Sequence, residues 1–219
     1  MKSILLSIKP QWVAKILNEE KTIEVRKQFP KDYVGWVYIY CTKDKKNYLY
    51  WDWYDPPFVE EEWFVSNIPD IWDDDRKNIN GPFNGKVIAR LWCYKVEEIL
   101  NYGLARRSES MMKELLKKSC LTMSELNEYA PHKEYKENDF IYAIHFSKLE
   151  IFDKPKELSD FKPICQKFEK DTVHYSCIGC KYCSFDFPYP ATKSSCLKKL
   201  TKAPQNYCYI EGELEDGND

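Results

Sequence analysis

Glycine is scarce in this chain, seven residues in 219. No glycine-rich phosphate loop, Walker sequence or dinucleotide fingerprint is present, and no nucleophile elbow either. Nucleotide-triphosphatase, dinucleotide-dependent and α/β-hydrolase chemistries therefore have no local signature. Long apolar runs are also lacking. Ile4-Leu5-Leu6 and the segment Val34 to Cys41 fall short of the roughly 20 residues a membrane-spanning helix needs. The first residues offer one Lys2, a brief apolar stretch, then Pro10 and Trp12, with no small-residue cleavage site. That pattern is not a secretory signal, so the expectation is a cytoplasmic protein with no membrane partner. Nor is there an excess of one charge: 33 Lys and Arg face 35 Asp and Glu, for a net charge of −2. A duplex-DNA footprint of positive charge is excluded, and any nucleic-acid contact must be local. Nine cysteines is an odd number. Without an export signal, reduced thiols or metal ligands are a better reading than a disulfide framework.

What is present reads as strands with a few helices. Ile4 to Ile8 is a strand, and Pro10 suits the first turn of a helix. Trp12, Val13, Ile16 and Leu17 recur at helical spacing over about 10–18, with Asn18 at the end. Lys21 to Arg26 alternates, Val34 to Cys41 is β-branched and aromatic, and Lys86 to Tyr94 is a further strand. Met112, Leu115 and Leu116 predict a helix over 109–118, and Thr122-x-x-Glu125 has capping-box spacing for another. Phe140 to Phe146 and Leu149 to Phe152 read as two strands, Pro155 to Phe161 as a short turn or helix, and Tyr207 to Ile210 as the last strand. Mixed order of strands and helices predicts an α+β fold.

The segment SIKPQWVAKILNEEKTIEVRK carries the chemistry. If Ile23 and Val25 fill the core, then Thr22, Glu24 and Arg26 look into a cavity or out to solvent. Lys21 and Lys9 sit at the neighbouring element boundaries. One reading is an exposed edge strand with a weak Glu–Arg pair. The other is a pocket in which Lys or Arg meets a phosphate or carbonyl and Glu accepts base or sugar protons.

That segment resembles the signature of ASCH domains, where a strand ending in Lys-Pro leads through a helix into K-T-x-E-x-R. KVIARLWC, LTMSELNEYA and YAIHFSKLEIFDKPKELSDF follow in the same order. The ending LTKAPQNYCYIE is similar to the close of bacterial and phage-type members. The resemblance implies a PUA-like β-barrel with a cleft beside the helix and the K-T-x-E-x-R strand, and an association with RNA. Some relatives are enzymes, among them amidohydrolases acting on N4-acetylcytidine and a ribonuclease. Lys21 matches the amidohydrolase lysine. The position of their catalytic threonine is Glu24 here, and their distant glutamate falls near Ser119, with Glu125 close in sequence. The expectation is a binder of RNA or of a nucleotide, modified bases included, through Lys9, Trp12, Lys21, Thr22, Glu24 and Arg26, with Gln205 and Asn206 at the border. The alternative is a hydrolase on RNA or a modified nucleoside, with Lys21 and Glu24 as catalytic residues.

From about 162 onward the composition turns to Cys, Lys and Pro. Cys177-x-x-Cys180-x-x-Cys183, followed by Cys196, fits a structural zinc site of four thiolates. His174 and Cys165 are substitutes, and Cys208 flanks the set. An iron–sulfur cluster is the minor alternative, and reduced buried thiols the plain one. Lys193, Lys198, Lys199 and Lys202 follow as a solvated surface or as phosphate contacts.

Residues 47–75 hold many aromatics and acids and no Lys or Arg, which reads as an insertion between strands rather than a regular element. Trp51, Trp53 and Tyr54 pack it onto the barrel, offer a protein partner a surface within 48–72, or cover the pocket as a lid. His145 reads as a structural histidine. The expected organisation is thus an ASCH-like, PUA-like barrel over 1–162 with an insertion at about 44–83, a cysteine-rich metal-binding appendage with the final strand over 163–211, and an acidic disordered tail at 212–219.

Overall fold

The computed structural model describes residues 2–52, 62–67, 79–100, 108–131, 140–164, 173–174, 191–192 and 199–211. The chain begins with strand β1 (Lys2–Ile8) and helix α1 (Pro10–Leu17), which Pro10 opens from its first turn. Strands β2 (Ile23–Arg26) and β3 (Gly35–Cys41) follow. The expected insertion holds β4 (Tyr48–Asp52), β5 (Glu62–Ser66) and β6 (Ile79–Asn80). The long strand β7 (Val87–Leu100) leads to helices α2 (Glu109–Ser119) and α3 (Met123–Tyr129). Strand β8 (Phe140–Lys156), a 3-10 turn (Leu158–Asp160), β9 (Val173–His174), β10 (Ala191–Thr192) and β11 (Tyr207–Glu211) complete the order. This is the α+β mixture expected from the sequence.

The principal sheet has six strands in the order β11-β1-β3-β7-β8-β2. Strand β1 is buried from Ser3 onward because it has neighbours on both sides, β3 parallel and β11 antiparallel. One face carries Ile4, Leu6, Ile8, Val37, Ile39 and Ile144 into a core that α1 covers with Val13, Ile16 and Leu17. A second core lies where α2 and α3 set Met112, Leu115 and Leu126 against Ile23, Val25, Ile141 and Ala143. A third, built on Leu5, Tyr38 and Ile210, is closed by Phe161 and Leu200. The Thr122–Glu125 capping box is formed in both directions and starts α3 where the spacing placed it.

A closed barrel was expected, and among the described residues no ladder joins the two ends of the sheet. The ends meet instead through side chains. Arg26 Nη2 of β2 donates to the Ser7 carbonyl of β1 at 2.6 Å. Asn206 Nδ2 donates to Gln28 Oε1 at 3.3 Å, and the rings of Phe29 and Tyr207 lie 5.5 Å apart. Arg26, the last residue of β2, places its guanidinium in the seam.

Other expectations need correction. The described residues of the aromatic segment are regular: β4 pairs antiparallel with both β5 and β6. Its Trp51 and Trp63 face each other across the hairpin with rings 5.9 Å apart, as cross-strand aromatic pairs do. The two strands expected within 140–152 are one, β8, which passes Lys148 in the left-handed region at φ 49°. The strand beginning near Lys86 runs on to Leu100, because β8 offers it a partner along that whole length. The insertion leaves and returns at one point: Cys41 N–H donates to the Lys86 carbonyl and Gly85 N–H to the Cys41 carbonyl. The cysteine-rich stretch also departs and returns beside itself, since Leu200 N–H donates to the Phe161 carbonyl at 3.1 Å and Ile164 N–H to that of Tyr209 at 2.8 Å. Residues 165–172, 175–190, 193–198 and the tail 212–219 lie outside the described residues.

Gly35 opens β3 at φ 150°, where a Cβ would stand 2.9 Å from the Tyr33 hydroxyl oxygen. That hydroxyl cannot retreat without losing its 2.6 Å hydrogen bond to the Trp36 carbonyl. Gly35→Ala is therefore expected to destabilise the protein by about 1–3 kcal/mol, measured by urea denaturation. An unchanged midpoint would show that this corner is not tightly held.

Candidate ligand-binding cavity

The alternation of β2 sends its side chains to two different environments. Ile23 and Val25 pair across from His145 and Ala143 and meet the helices α2 and α3. Glu24 and Arg26 pair across from Ile144 and Tyr142 and look the other way, toward the seam. There a cavity of about 450 Å³ opens between α1, α3 and the seam, a size suited to a small molecule. Lys9, Trp12, Lys21, Glu24, Arg26 and Gln205 line it, all of them named from the sequence.

Its floor is charged and little exposed. The side chains of Lys21, Glu24 and Arg26 are 2 %, 8 % and 12 % exposed. Lys21 Nζ lies 3.3 Å from Glu24 Oε2, and Arg26 Nε lies 2.8 Å from Glu24 Oε1. The Arg26 Nε contact is one of charge, because that N–H has no aligned acceptor among the described residues. Lys21 also donates to the Ser119 carbonyl at 2.5 Å and sits 5.2 Å from the centre of the Trp12 ring. Ser119 is the last residue of α2. Its carbonyl is one of those left without a helical partner, at the negative end of the helix dipole. The preceding carbonyl, of Lys118, accepts from Thr22 N–H at 2.9 Å. Residues 21 and 22 thus cap α2 from outside, which fixes the lysine in place.

Two of the sequence-named residues fall elsewhere. Thr22 is exposed and lies outside the cavity lining, because the strand begins only at Ile23 and the alternation does not yet hold one residue earlier. Asn206 spans the seam, its amide on Gln28 and its carbonyl accepting from Ser7 N–H. Conversely, Ser7, Thr42, Leu121, Glu125, Tyr129 and Pro204 line the cavity and were not assigned to it from sequence. Leu121, Glu125 and Tyr129 recur at i, i+4, i+8, so one stripe at the start and along α3 faces the cavity. That spacing was the available signal.

Glu125 stands at the mouth. Its Oε2 accepts from Thr122 N–H and from the Thr122 hydroxyl, both at 2.8 Å. The hydrogen bond from the Thr122 backbone, then that from its hydroxyl, holds the Glu125 carboxyl below the usual carboxylate range. Glu125 therefore remains anionic beside Lys21. His145 is engaged apart from the cavity, with Nε2 3.3 Å from Glu97 Oε2. Burial, and then Lys95, pushes its pKa down, favouring the neutral imidazole.

Trp51 and Trp63 of the insertion pack against the core that α1 covers. Asn18 at the end of α1 donates to the Trp63 carbonyl at 2.8 Å and accepts from Trp63 N–H at 2.9 Å. This two-bond clamp ties the insertion to the helix that carries Trp12. Trp53 and Tyr54 lie outside the described residues, as do Cys165, Cys177, Cys180, Cys183 and Cys196, and the side chain of His174 is not described. Cys208 is a half-buried residue of β11. Among the described residues no group of three or more His, Cys, Asp or Glu side chains is placed to hold a metal, and no helix is long and apolar enough to cross a membrane.

No protein-family model matches the chain, and no curated protein matches it. Among solved structures it is similar to ASCH from Zymomonas mobilis, at 12 % identity over 71 % of this chain and 73 % of that one, with a TM-score of 0.42. It is similar also to a tyrosine-to-phenylalanine variant of that protein, at 13 % identity over 72 % and 77 %, with a TM-score of 0.41.

The buried charges make a sharp energetic prediction. Glu24→Ala leaves two buried cations without their counter-ion, and is expected to cost about 3–5 kcal/mol. The triple replacement of Lys21, Glu24 and Arg26 by apolar residues should recover most of that loss. A single-variant loss below about 1 kcal/mol in chemical denaturation would mean that the three groups are solvated.

Proposed function

We propose that this protein binds a nucleotide, free or as one unit of RNA, in the cavity beside β2. The observation that carries the reading is the Lys21–Glu24–Arg26 set buried in the cavity wall beside Trp12. Desolvating three charges is expensive, and apolar replacements of such networks are often neutral or stabilising. Fold stability alone does not account for them, whereas a ligand that needs fixed donors and acceptors does. Lys21 and Arg26 supply positive charge for a phosphate or carbonyl oxygen, Glu24 and Glu125 accept base or sugar protons, and Trp12 provides a stacking face. Lys9 and Gln205 complete the polar lining.

A second reading, hydrolysis of RNA or of a modified nucleoside, is favoured by one observation. Lys21 and the two carboxylates Glu24 and Glu125 share a single cavity. In that case Lys21 and Glu24 are the catalytic pair. Against it stands the engagement of Lys21 with Ser119 and Glu24, which leaves its ammonium poorly placed to act as a free nucleophile.

The two readings separate on one panel of RNAs, nucleotides and modified nucleosides, with retained ligand and released product both analysed by mass spectrometry. The binding reading expects an unchanged nucleotide, retained by the native protein and at least ten-fold less by Lys21→Met. Product that vanishes in Lys21→Met would transfer the protein to the enzyme class. A panel with neither outcome would remove the reading.

For the cysteine-rich segment the proposal is one structural zinc ion on Cys177, Cys180, Cys183 and Cys196, with His174 and Cys165 as substitutes and an iron–sulfur cluster as the alternative. Metal analysis of the purified protein should find about one zinc per chain, lost when two of the four cysteines are changed to serine. Iron with matching sulfide would favour the alternative, and no metal in a reduced, chelator-free preparation would overturn both. Trp51 and Trp63 face the core, so a protein partner at this insertion would have to engage other residues of 48–72.

A further inference from the structure

The sheet face under α2 and α3 has one polar corner. Across this face Ile23, Val25, Ile99, Ile141 and Ala143 meet Met112, Leu115 and Leu126 of the helices. His145 continues the β8 alternation of Ile141 and Ala143, and pairs with Ile23 on one side and Lys95 on the other. Paired residues of adjacent strands share a face, so the imidazole stands at the margin of this core, its side chain 14 % exposed. Its Nε2 lies 3.3 Å from Glu97 Oε2, and Lys95 Nζ lies 3.8 Å from the same oxygen. The ring of Tyr94 is 5.9 Å away. From α2, Lys118 bears on the imidazole with like charge, and Glu114, paired to Lys118 at 2.7 Å, with opposite charge. Among the described residues, two lysines and two carboxylates from β7 and α2 thus face one half-buried histidine. From β2 only Ile23 turns toward it, since Glu24 looks into the cavity.

Backbone hydrogen bonds join this corner to the cavity. Phe146, the residue after His145, donates its N–H to the Thr22 carbonyl at 3.0 Å. Thr22 in turn donates to the Lys118 carbonyl at 2.9 Å, and Lys21 Nζ donates to the Ser119 carbonyl at 2.5 Å. The residue whose ammonium bears on His145 is therefore the one whose carbonyl ties α2 to the start of β2, and the next carbonyl holds Lys21 in the cavity floor. Burial, and then the charge of Lys95, disfavours the imidazolium. A neutral His145 leaves the two ion pairs balanced. A protonated one is drawn to Glu97, and its repulsion of Lys118 bears on the last turn of α2. The sign is definite. An unfolded histidine takes its proton at the ordinary pH and the folded one only below it, so the seat of α2 is whole above the ordinary value and weakens as the pH falls through the folded one.

We propose that His145 is a proton-operated brace for the cavity: neutral, it seats the end of α2 against β7 and β8, and protonated, it loosens the two hydrogen bonds by which that end holds Thr22 and Lys21. Lys21 then exchanges its anchor on Ser119 for a fuller engagement of Glu24, 3.3 Å away, and shifts relative to the Trp12 ring beside it. Acid therefore rearranges the cavity floor from the far side of β2, without a titrating group in the cavity having to change. The device goes beyond the nucleotide reading and does not need it, because Lys21 lines the cavity whatever the cavity receives.

The test is a nuclear magnetic resonance titration of the ligand-free, isotopically labelled full chain from about pH 8 to about pH 5. It follows the His145 ring, the Thr22 amide and the Trp12 indole N–H. All three are expected to move with one midpoint below the ordinary histidine value. The Thr22 amide should exchange about ten-fold faster below that midpoint than above it, after correction for intrinsic rates. His145→Gln, neutral at every pH, should hold Thr22 and Trp12 at their neutral-state positions across the range. Lys118→Gln, a change at a half-exposed side chain, should leave the His145 ring titrating at a slightly higher pH while Thr22 and Trp12 stay still. Thr22 or Trp12 standing still in the native protein while His145 titrates would overturn the brace, as would a response that persists in His145→Gln. A ring that takes no proton before the protein unfolds would overturn it too. Should His145→Gln fail to fold, Lys118→Gln decides: loss of the Thr22 response upholds the proposal, and its survival overturns it.

Discussion

The rest of this structure depends on a buried carboxylate held between two cations. Glu24 touches Lys21 on one side and Arg26 on the other, and each cation has a second anchor. Lys21 reaches back to the end of α2 through the Ser119 carbonyl, while Arg26 reaches across the seam to the Ser7 carbonyl of β1. Three elements far apart in sequence are therefore fixed relative to one another by one short strand. Each charge is tolerable only while the others are present, since a single unpaired ion at this depth is far costlier than the complete set.

The same constraint explains why the sheet is rolled without being closed by a ladder. A hydrogen-bonded ladder between β2 and β11, the two ends of the sheet, would fill the seam that Arg26 now spans, and the cavity lies beside that seam. Stability of the roll then comes from elsewhere. Three apolar cores, one on the face under α1, one beneath α2 and α3, and one under Phe161 and Leu200, hold the strands that the seam does not. The aromatic insertion contributes by bracing α1 through the Asn18–Trp63 pair, so that Trp12 is presented from a helix held at both ends.

Much of this was legible in the sequence, and the reason is local periodicity. The helix at α1, the opposite facing of Ile23–Val25 and Glu24–Arg26, and the capping box at Thr122 each follow from spacing within a few residues. What was not legible depends on contacts between distant segments. Glu125 and Tyr129 join the cavity because apolar packing of Leu126 with Ile23 and Val25 of β2 sets the rotation of α3, and no window around residue 125 contains that information. Ser7, Thr42 and Pro204 meet only through the β1–β3 pairing and the return of the chain before β11. Thr22 was assigned to the cavity because the alternation was extended one residue too far, to a position whose N–H is taken by α2. The regular hairpin of β4 and β5 was hidden by its composition, because acids and tryptophans obscure the period of two that its pairing later reveals.

The central claim is that the buried charge set and Trp12 form a ligand site, and it is tested most directly by nuclear magnetic resonance. Titration of isotopically labelled protein with a pyrimidine nucleotide would be followed at the indole N–H of Trp12 and the Nε–H of Arg26. Trp36 and Trp92, whose rings pack together 5.4 Å apart on strands β3 and β7, serve as internal controls. Saturable shifts of Trp12 and Arg26 with the controls unmoved are the predicted result. Shifts confined to Trp36 and Trp92, or no saturable shift at any of the four, would contradict it.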